Sequence, residues 1–235
     1  HFSSEQNSFW RFEPSINLGY NFNILNKLSF NYSLNHELPS INQLQNNSFI
    51  YDFQTLYKNS LIRFKQIIPR NELSLDYLNI NTKTQSVFFS KMIYSITQNY
   101  ISNNGNYKTT WTENQYVKTK NNKLLSLIVY YDLKFNDLPF SIKNTISYFY
   151  TNGFSQFNGK NNNVKSEIFS SKQQLISNIK NSSFQFDIGF NYRQTQFHQT
   201  INNFLNKTEA YQLSLNLRGK IKEKLKWDLV INRDY

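Results

Sequence analysis

From residue 10 to residue 24 every even position is apolar (Trp10, Phe12, Pro14, Ile16, Leu18, Tyr20, Phe22, Ile24). The odd positions between them are Arg11, Glu13, Ser15, Asn17, Gly19, Asn21 and Asn23. Side chains of an extended strand point alternately to its two faces, so a period of two predicts a strand with one apolar and one polar side. After Leu25, Asn26 and Lys27 the pattern resumes as Leu28, Phe30, Tyr32 and Leu34 against Ser29, Asn31, Ser33 and Asn35. Two alternating runs joined this closely predict a hairpin.

The same alternation returns further along. Phe184, Phe186, Ile188, Phe190 and Tyr192 oppose Gln185, Asp187, Gly189, Asn191 and Arg193; Tyr211, Leu213, Leu215 and Leu217 oppose Gln212, Ser214, Asn216 and Arg218. Leu225, Trp227, Leu229 and Ile231 alternate with Lys226, Asp228 and Asn232, Phe140 to Tyr148 alternate with Ser141, Lys143, Thr145 and Ser147, and residues 125–135 keep their odd positions apolar. In residues 73–81, 87–98 and 164–179 the phase slips, and a β-bulge is the expected cause.

Short connections, near residues 25–27, 83–85, 136–138, 180–181 and 222–224, alternate with long polar ones at 37–70, 100–122, 152–162 and 198–207. Short turns at one end and long loops at the other are the pattern of an outer-membrane barrel. About twelve residues at ~3.3 Å each, tilted by ~40°, rise about 30 Å, enough to cover the apolar band of such a barrel, whereas sandwich strands are usually shorter. A face of Asn, Ser, Gln, Arg and Asp repeated strand after strand cannot form a dry core, and is expected to line a wet lumen. Aromatic residues near strand ends, among them Trp10, Tyr94, Tyr148, Tyr150, Tyr192, Tyr211 and Trp227, suit interfacial girdles.

Composition sharpens this reading. Among 235 residues there are 21 Phe, 16 Tyr and 3 Trp, too many rings for a disordered chain. There is no cysteine, which removes disulfides, thiolate metal sites and a cysteine nucleophile. No apolar run approaches the ~18 residues of a spanning helix. The net charge of +11 is spread over turns and loops (Lys27, Lys83, Lys118, Lys120, Lys160, Lys180, Lys222, Lys224) instead of forming one face, so nucleic acid is not the expected partner. The ends at His1 and Tyr235 read as cuts from a longer chain.

Candidate chemistry is sparse. His36-Glu37 lacks a second histidine one helical turn away, so no metal is expected. Glu13, Asp76, Asp132, Asp187 and Asp228 lie on polar strand faces and are expected to balance Arg11, Lys143, Arg193 and Arg218; no catalytic residue and no cofactor are predicted. Recognition is instead expected in the long loops, which carry Phe49, Tyr51, Phe53 and Tyr57 in one and Tyr107, Trp111 and Tyr116 in the other. Tyr51, Phe53, Tyr57, Trp111 and Tyr116 are the ligand-contact candidates.

The segments Phe12-Glu13-Pro14-Ser15-Ile16-Asn17-Leu18, Leu28-Ser29-Phe30-Asn31-Tyr32-Ser33 and Leu38-Pro39-Ser40-Ile41-Asn42-Gln43-Leu44 resemble the barrel portion of TonB-dependent receptor-like outer-membrane proteins of the Bacteroidota. The single Ala, with many Asn, Lys, Ile, Phe and Tyr, fits an AT-rich genome in that group. In that family a Pro-Ser-Ile-x-Gln-Leu segment leads from a strand into a large external loop, and residues 39–44 occupy that place. The Gly-Asn-Pro-type segment that often follows is replaced by residues 46–59, and neither a plug domain nor a TonB box is found in the sequence.

The resulting expectation for fold is all-β: a transmembrane antiparallel up-and-down barrel over residues 1–235, with about ten strands visible as part of a ~22-stranded whole. For function it is an outer-membrane receptor or transporter for a bulky nutrient. The resemblance implies TonB as the source of energy, acting through a plug ahead of this segment. Outer-membrane lipid and lipopolysaccharide, a surface lipoprotein and other envelope proteins are the expected partners. A passive or scaffolding barrel, and a soluble secreted β-sandwich that binds carbohydrate, are the two alternatives.

Overall fold

The computed structural model describes residues 11–44, 47–58, 60, 62, 67–135, 138–177, 184–221 and 225–234. Fourteen strands occur among them: β1 (Ser15–Asn23), β2 (Asn26–Glu37), β3 (Phe49–Asp52), β4 (Thr55–Tyr57), β5 (Ile68–Asn81), β6 (Ser86–Thr97), β7 (Ile101–Tyr107), β8 (Thr112–Lys118), β9 (Asn122–Lys134), β10 (Phe140–Phe157), β11 (Lys160–Ser177), β12 (Phe184–Gln199), β13 (Phe204–Ile221) and β14 (Leu225–Asp234). Ten of these form an up-and-down antiparallel wall in the order β1-β2-β5-β6-β9-β10-β11-β12-β13-β14. The wall is open, since β1 and β14 are not paired with each other. The fold is therefore all-β, as the alternation predicts.

Directly opposed residues of an antiparallel pair share a face, so the register fixes which side each residue takes. Leu18 pairs with Phe30, Phe30 with Leu75, Leu75 with Met92, Met92 with Leu127 and Leu127 with Tyr148. Further on, Leu175 pairs with Ile188, Ile188 with Leu215 and Leu215 with Ile231. Every alternating segment thus puts its apolar set on the same side, and a one-residue slip anywhere would have inverted it. On that side Leu75, Tyr94, Leu127, Ile146, Ile188 and Leu213 are all exposed.

The apolar set forms a band that crosses the strands obliquely. Its upper limit lies at Leu34 on β2, at Leu125 and Tyr150 on β9 and β10, at Phe169 on β11, and at Tyr192 and Tyr211 on β12 and β13. Relative to the pairing rows the limit slides by roughly six residues over seven strand-to-strand steps. With ~3.3 Å per residue and ~4.8 Å between strands, that is a slope of roughly 30°. On β9 and β12 the band is about nine residues long (Leu125 to Leu133; Phe184 to Tyr192), which projects to about 25 Å.

The opposite face carries charge and amide. Lys91 lies 3.6 Å from Asp76, Lys143 3.6 Å from Asp132 and Arg218 3.8 Å from Asp228. The Asn191 amide donates to Gln212 Oε1 at 2.7 Å, and the Ser147 and Ser170 hydroxyls share a hydrogen bond of 2.6 Å. Two of the charge pairings match the sequence expectation; Asp76 takes Lys91 and Glu13 takes His36 at 3.6 Å.

Two expectations are corrected. The predicted bulges in residues 73–81, 87–98 and 164–179 do not occur among the described residues, because the registers of β5, β6 and β11 run unbroken as far as Asn81, Thr97 and Ser177. The phase slips arise because Leu78, Ile80, Phe89, Ile93, Ile168 and Ile176 stand on the mostly polar face. The loops expected at 152–162 and 198–207 are largely strand. β10 and β11 continue past the apolar band to Phe157 and Lys160, closed by Asn158 and Gly159 with φ of 49° and 73°. Two consecutive residues in the left-handed region make the tight turn that suits the twist of a hairpin. The turns expected near residues 180–181 and 222–224, residues 136 and 137 of the turn expected near 136–138, and the girdle position of Trp10 lie outside the described residues.

Candidate functional site

The two longest loops fold into a second, smaller sheet on the rim. β3 and β4 form one hairpin across Phe53 and Gln54, where the Gln54 amide donates to Asp52 Oδ1 at 2.8 Å. β7 and β8 form another, closed by the Lys108 amide donating to the Trp111 carbonyl at 2.9 Å. β4 pairs in parallel with β8, and β7 pairs in parallel with the upper end of β10. The rim sheet therefore has the order β3-β4-β8-β7 and is stitched to the wall through β10.

Asn158 makes that stitch. Its amide donates to the Gly105 carbonyl at 2.9 Å, and its Oδ1 accepts from the Tyr107 amide at 2.9 Å. The turn that ends the β10–β11 hairpin thus satisfies backbone groups at the edge of β7 that would otherwise be left without partners.

The buried aliphatic side chains among the described residues, Ile62, Ile68, Ile101 and Val117, all lie here, where the rim meets the wall. Ile62, Ile68 and Ile101 pack together, with Leu44 and Tyr116 against them. Among the described residues the wall has no such core on either face. Hydrophobic burial in this chain is concentrated under the rim, and it fixes the two hairpins to their support.

Above this core the rings gather. Tyr57 stacks on Phe49 at 5.1 Å between centroids, meets Tyr51 edge-on at 5.9 Å and stacks on Tyr116 at 6.0 Å. These separations are typical of attractive aromatic pairs. Burial first, then the Tyr116 and Tyr51 phenols and the Asp52 carboxylate, hold the Tyr57 phenol above its ordinary value. Of the five candidates read from the sequence, Tyr51, Tyr57 and Tyr116 come together. Phe53 and Trp111 sit apart from the ring group, at the tips of the adjacent hairpins, which are joined where the Thr112 amide donates to the Gln54 carbonyl at 2.7 Å.

Several residues of the site were not singled out from the sequence. Asn114 stands in register with Tyr57 and with Gly105, and Asn103 with Tyr116, so both amides share the face of the rings. Asn103 Nδ2 donates to Asn114 Oδ1 at 2.9 Å, while the buried Asn103 Oδ1 has no hydrogen-bond partner. On the other side of Gly105, Tyr107 stacks on Phe157 at 4.8 Å. Lys58 and Glu113 form an ion pair on the reverse face of the same sheet. The only sequence signal for this grouping was the amide-rich run Asn103-Asn104-Gly105, which says nothing of the partner strand.

The arrangement offers flat apolar surfaces flanking side-chain amides on a braced scaffold. It can bind by stacking and by hydrogen bonding, and no group of carboxylates or histidines suited to holding a metal ion lies among the described residues. Comparison with protein-family models, with curated proteins and with solved structures finds no match.

Proposed function

We propose that this chain is the membrane-embedded portion of an outer-membrane β-barrel that acts as a receptor or transporter for a bulky nutrient, with the rim sheet as its ligand-contacting surface. The observation that carries the reading is the continuous apolar face: ten strands keep it in register, and it stays exposed to whatever surrounds the protein. In water such a face is an aggregation surface, and in a bilayer it is the lipid contact. A second layer to cover it, which a sandwich needs, is not found among the described residues, where the long strands pack on their hydrogen-bonded neighbours.

Three further features support the reading. The apolar band of about 25 Å matches the band of outer-membrane barrels, and its slope of roughly 30° is close to the strand tilt that barrel closure demands. Tyrosines mark its upper limit, at Tyr150, Tyr192 and Tyr211. The short described turns, at residues 24–25 and 82–85, lie at one end of the wall and the long excursions at the other. In this reading further strands join β1 and β14 to complete a larger barrel, and the resemblance to TonB-dependent receptors supplies the expectation of energised uptake through a plug.

The ring and amide face suits a ligand that presents both apolar surface and hydroxyl or amide groups. Glycan fragments and peptides have that character. Cell fractionation with detergent extraction tests the reading: the protein is expected in the outer-membrane fraction, migrating faster on unboiled than on boiled electrophoresis gels. Recovery of a folded protein from the soluble fraction without detergent overturns it.

A further inference from the structure

Just above the apolar band, on the same face, the wall changes character. Lys123 follows Leu125 two residues up β9 and pairs with Asn152 on β10, which in turn pairs with Lys165 on β11. Where the β7–β8 hairpin leaves this surface there is a groove of about 560 Å³ lined by Asn99, Thr119, Lys120, Lys123, Asn152 and Phe154. The Lys120 ammonium lies 5.4 Å from the centre of the Phe154 ring. Neither Lys120 nor Lys123 has a carboxylate partner among the described residues.

From this geometry we infer that the groove binds the phosphorylated headgroup of an anionic lipid, a lipopolysaccharide-type lipid of the outer leaflet. The inference rests on the membrane reading above. Its location is the argument: the groove opens on the face proposed to meet lipid, at the end that carries the long excursions, directly above the tyrosine limit. Acyl chains would lie along Leu125, Leu127 and Tyr150 while the headgroup reaches Lys123 and Lys120. Two unpaired ammonium groups supply the charge, the amides of Asn99 and Asn152 and the Thr119 hydroxyl supply donors, and Phe154 gives a flat surface for a sugar ring.

The test uses the protein extracted in detergent from the outer membrane, with native mass spectrometry and a lipid-binding titration. The probes are a bisphosphorylated lipid A, the same lipid with its phosphates removed, and inorganic phosphate. Each lysine near a charged surface contributes about fivefold in affinity, so K120Q/K123Q is expected to weaken lipid A binding by roughly 25-fold. The charge-matched control K27Q/K160Q, altered away from the groove, is expected to leave it unchanged. The dephosphorylated lipid should bind the wild type no better than lipid A binds the double variant.

Equal lipid A binding by K120Q/K123Q and wild type overturns the inference. So does displacement of lipid A by inorganic phosphate at comparable concentration, which would make the groove a site for the free ion. Unboiled mobility and membrane fractionation are read on every variant: membrane-inserted wild type and K120Q/K123Q that bind lipid A equally refute the groove alone. One that fractionates as soluble refutes the membrane reading and the groove with it.

Discussion

Lys58 Nζ lies 2.5 Å from Glu113 Oε2, and this ion pair fastens the end of the first rim hairpin to the second, 55 positions later in the chain. The Glu113 side chain is 9% exposed and that of Lys58 42%, so the carboxylate has little water to fall back on if the ammonium is removed.

Lys58→Ala is expected to loosen the hairpin of β3 and β4 by about 1–3 kcal/mol, the cost of a buried acceptor losing its charged partner. Hydrogen exchange checks it: amides of β4 and β8 should exchange faster while those of β10 and β11 keep their rates. The double variant Lys58→Ala with Glu113→Ala should cost less than the sum of the two single changes, because it leaves no stranded charge.

Adjacent positions on β13 offer a sharper test of which face meets lipid. Leu213 lies within the apolar band and is 46% exposed, whereas Gln212 is on the opposite face beside Asn191. Leu213→Arg, two residues inside the band's upper limit, is expected to destabilise the membrane-inserted protein by about 1–2 kcal/mol, and Gln212→Arg by roughly a few tenths of a kcal/mol at most. Urea unfolding from lipid vesicles measures both, and equal costs would mean that the band does not face hydrocarbon.

The Asn158-Gly159 turn holds two structures at once. Gly159 has a φ of 73°, which a β-branched residue adopts only under strain, so Gly159→Val is expected to cost about 1–2 kcal/mol in the same measurement. Asn158→Ala additionally removes the acceptor for the Tyr107 amide. Its signature should be faster exchange at the edge of β7, beyond the change in the turn itself.

The Tyr57 phenol titrates above its ordinary value of 10.0 because burial and its neighbours disfavour the phenolate. A raised folded-state value means that the stabilisation is complete below pH 10 and is lost as pH climbs through that raised value. The ring cluster should thus hold together up to pH 10 and loosen only beyond it. Absorbance at the phenolate band checks this: Tyr57→Phe should subtract one tyrosine from those ionising above pH 10, leaving the earlier part of the titration unchanged.

The wall was legible wherever one face was purely polar. The runs at 10–24, 28–34, 184–192 and 211–217 gave strand and face, because alternation is a local property of the chain, but not the ends of the last two, whose strands reach Gln199 and begin at Phe204. In the middle strands, Phe89, Ile93 and Ile168 stand on the other face and blurred the period, so an unbroken strand read as a bulged one. The Asn158-Gly159 dipeptide is a hairpin signal, but the same dipeptide at residues 104–105 and 152–153 lies inside β7 and β10, so on its own it does not mark where the strands at 152–162 turn.

The candidate site was legible only in its residue types. Tyr51, Tyr57 and Tyr116 are aromatic residues in long loops, and that much a sequence shows. Their convergence depends on the parallel pairing of β4 with β8, which no local pattern announces. Asn114 and Glu113 acquire meaning only from that pairing and Asn103 from the β7–β8 hairpin beside it, so no local pattern singles them out. Phe53 and Trp111 were chosen on the same grounds as the others, and the structure puts them at the hairpin tips instead.

The two parallel seams give the rim sheet a mechanical grain. β8 is clasped between β4 and β7, and β7 is itself paired with the upper end of β10, so each hairpin is tied to a neighbour and does not hang as an isolated flap. Under the proposed reading, a ligand at the rim would meet a template whose shape is set before contact. Discrimination there would rest on complementarity to that template, and opening would require the whole rim to move as one plate.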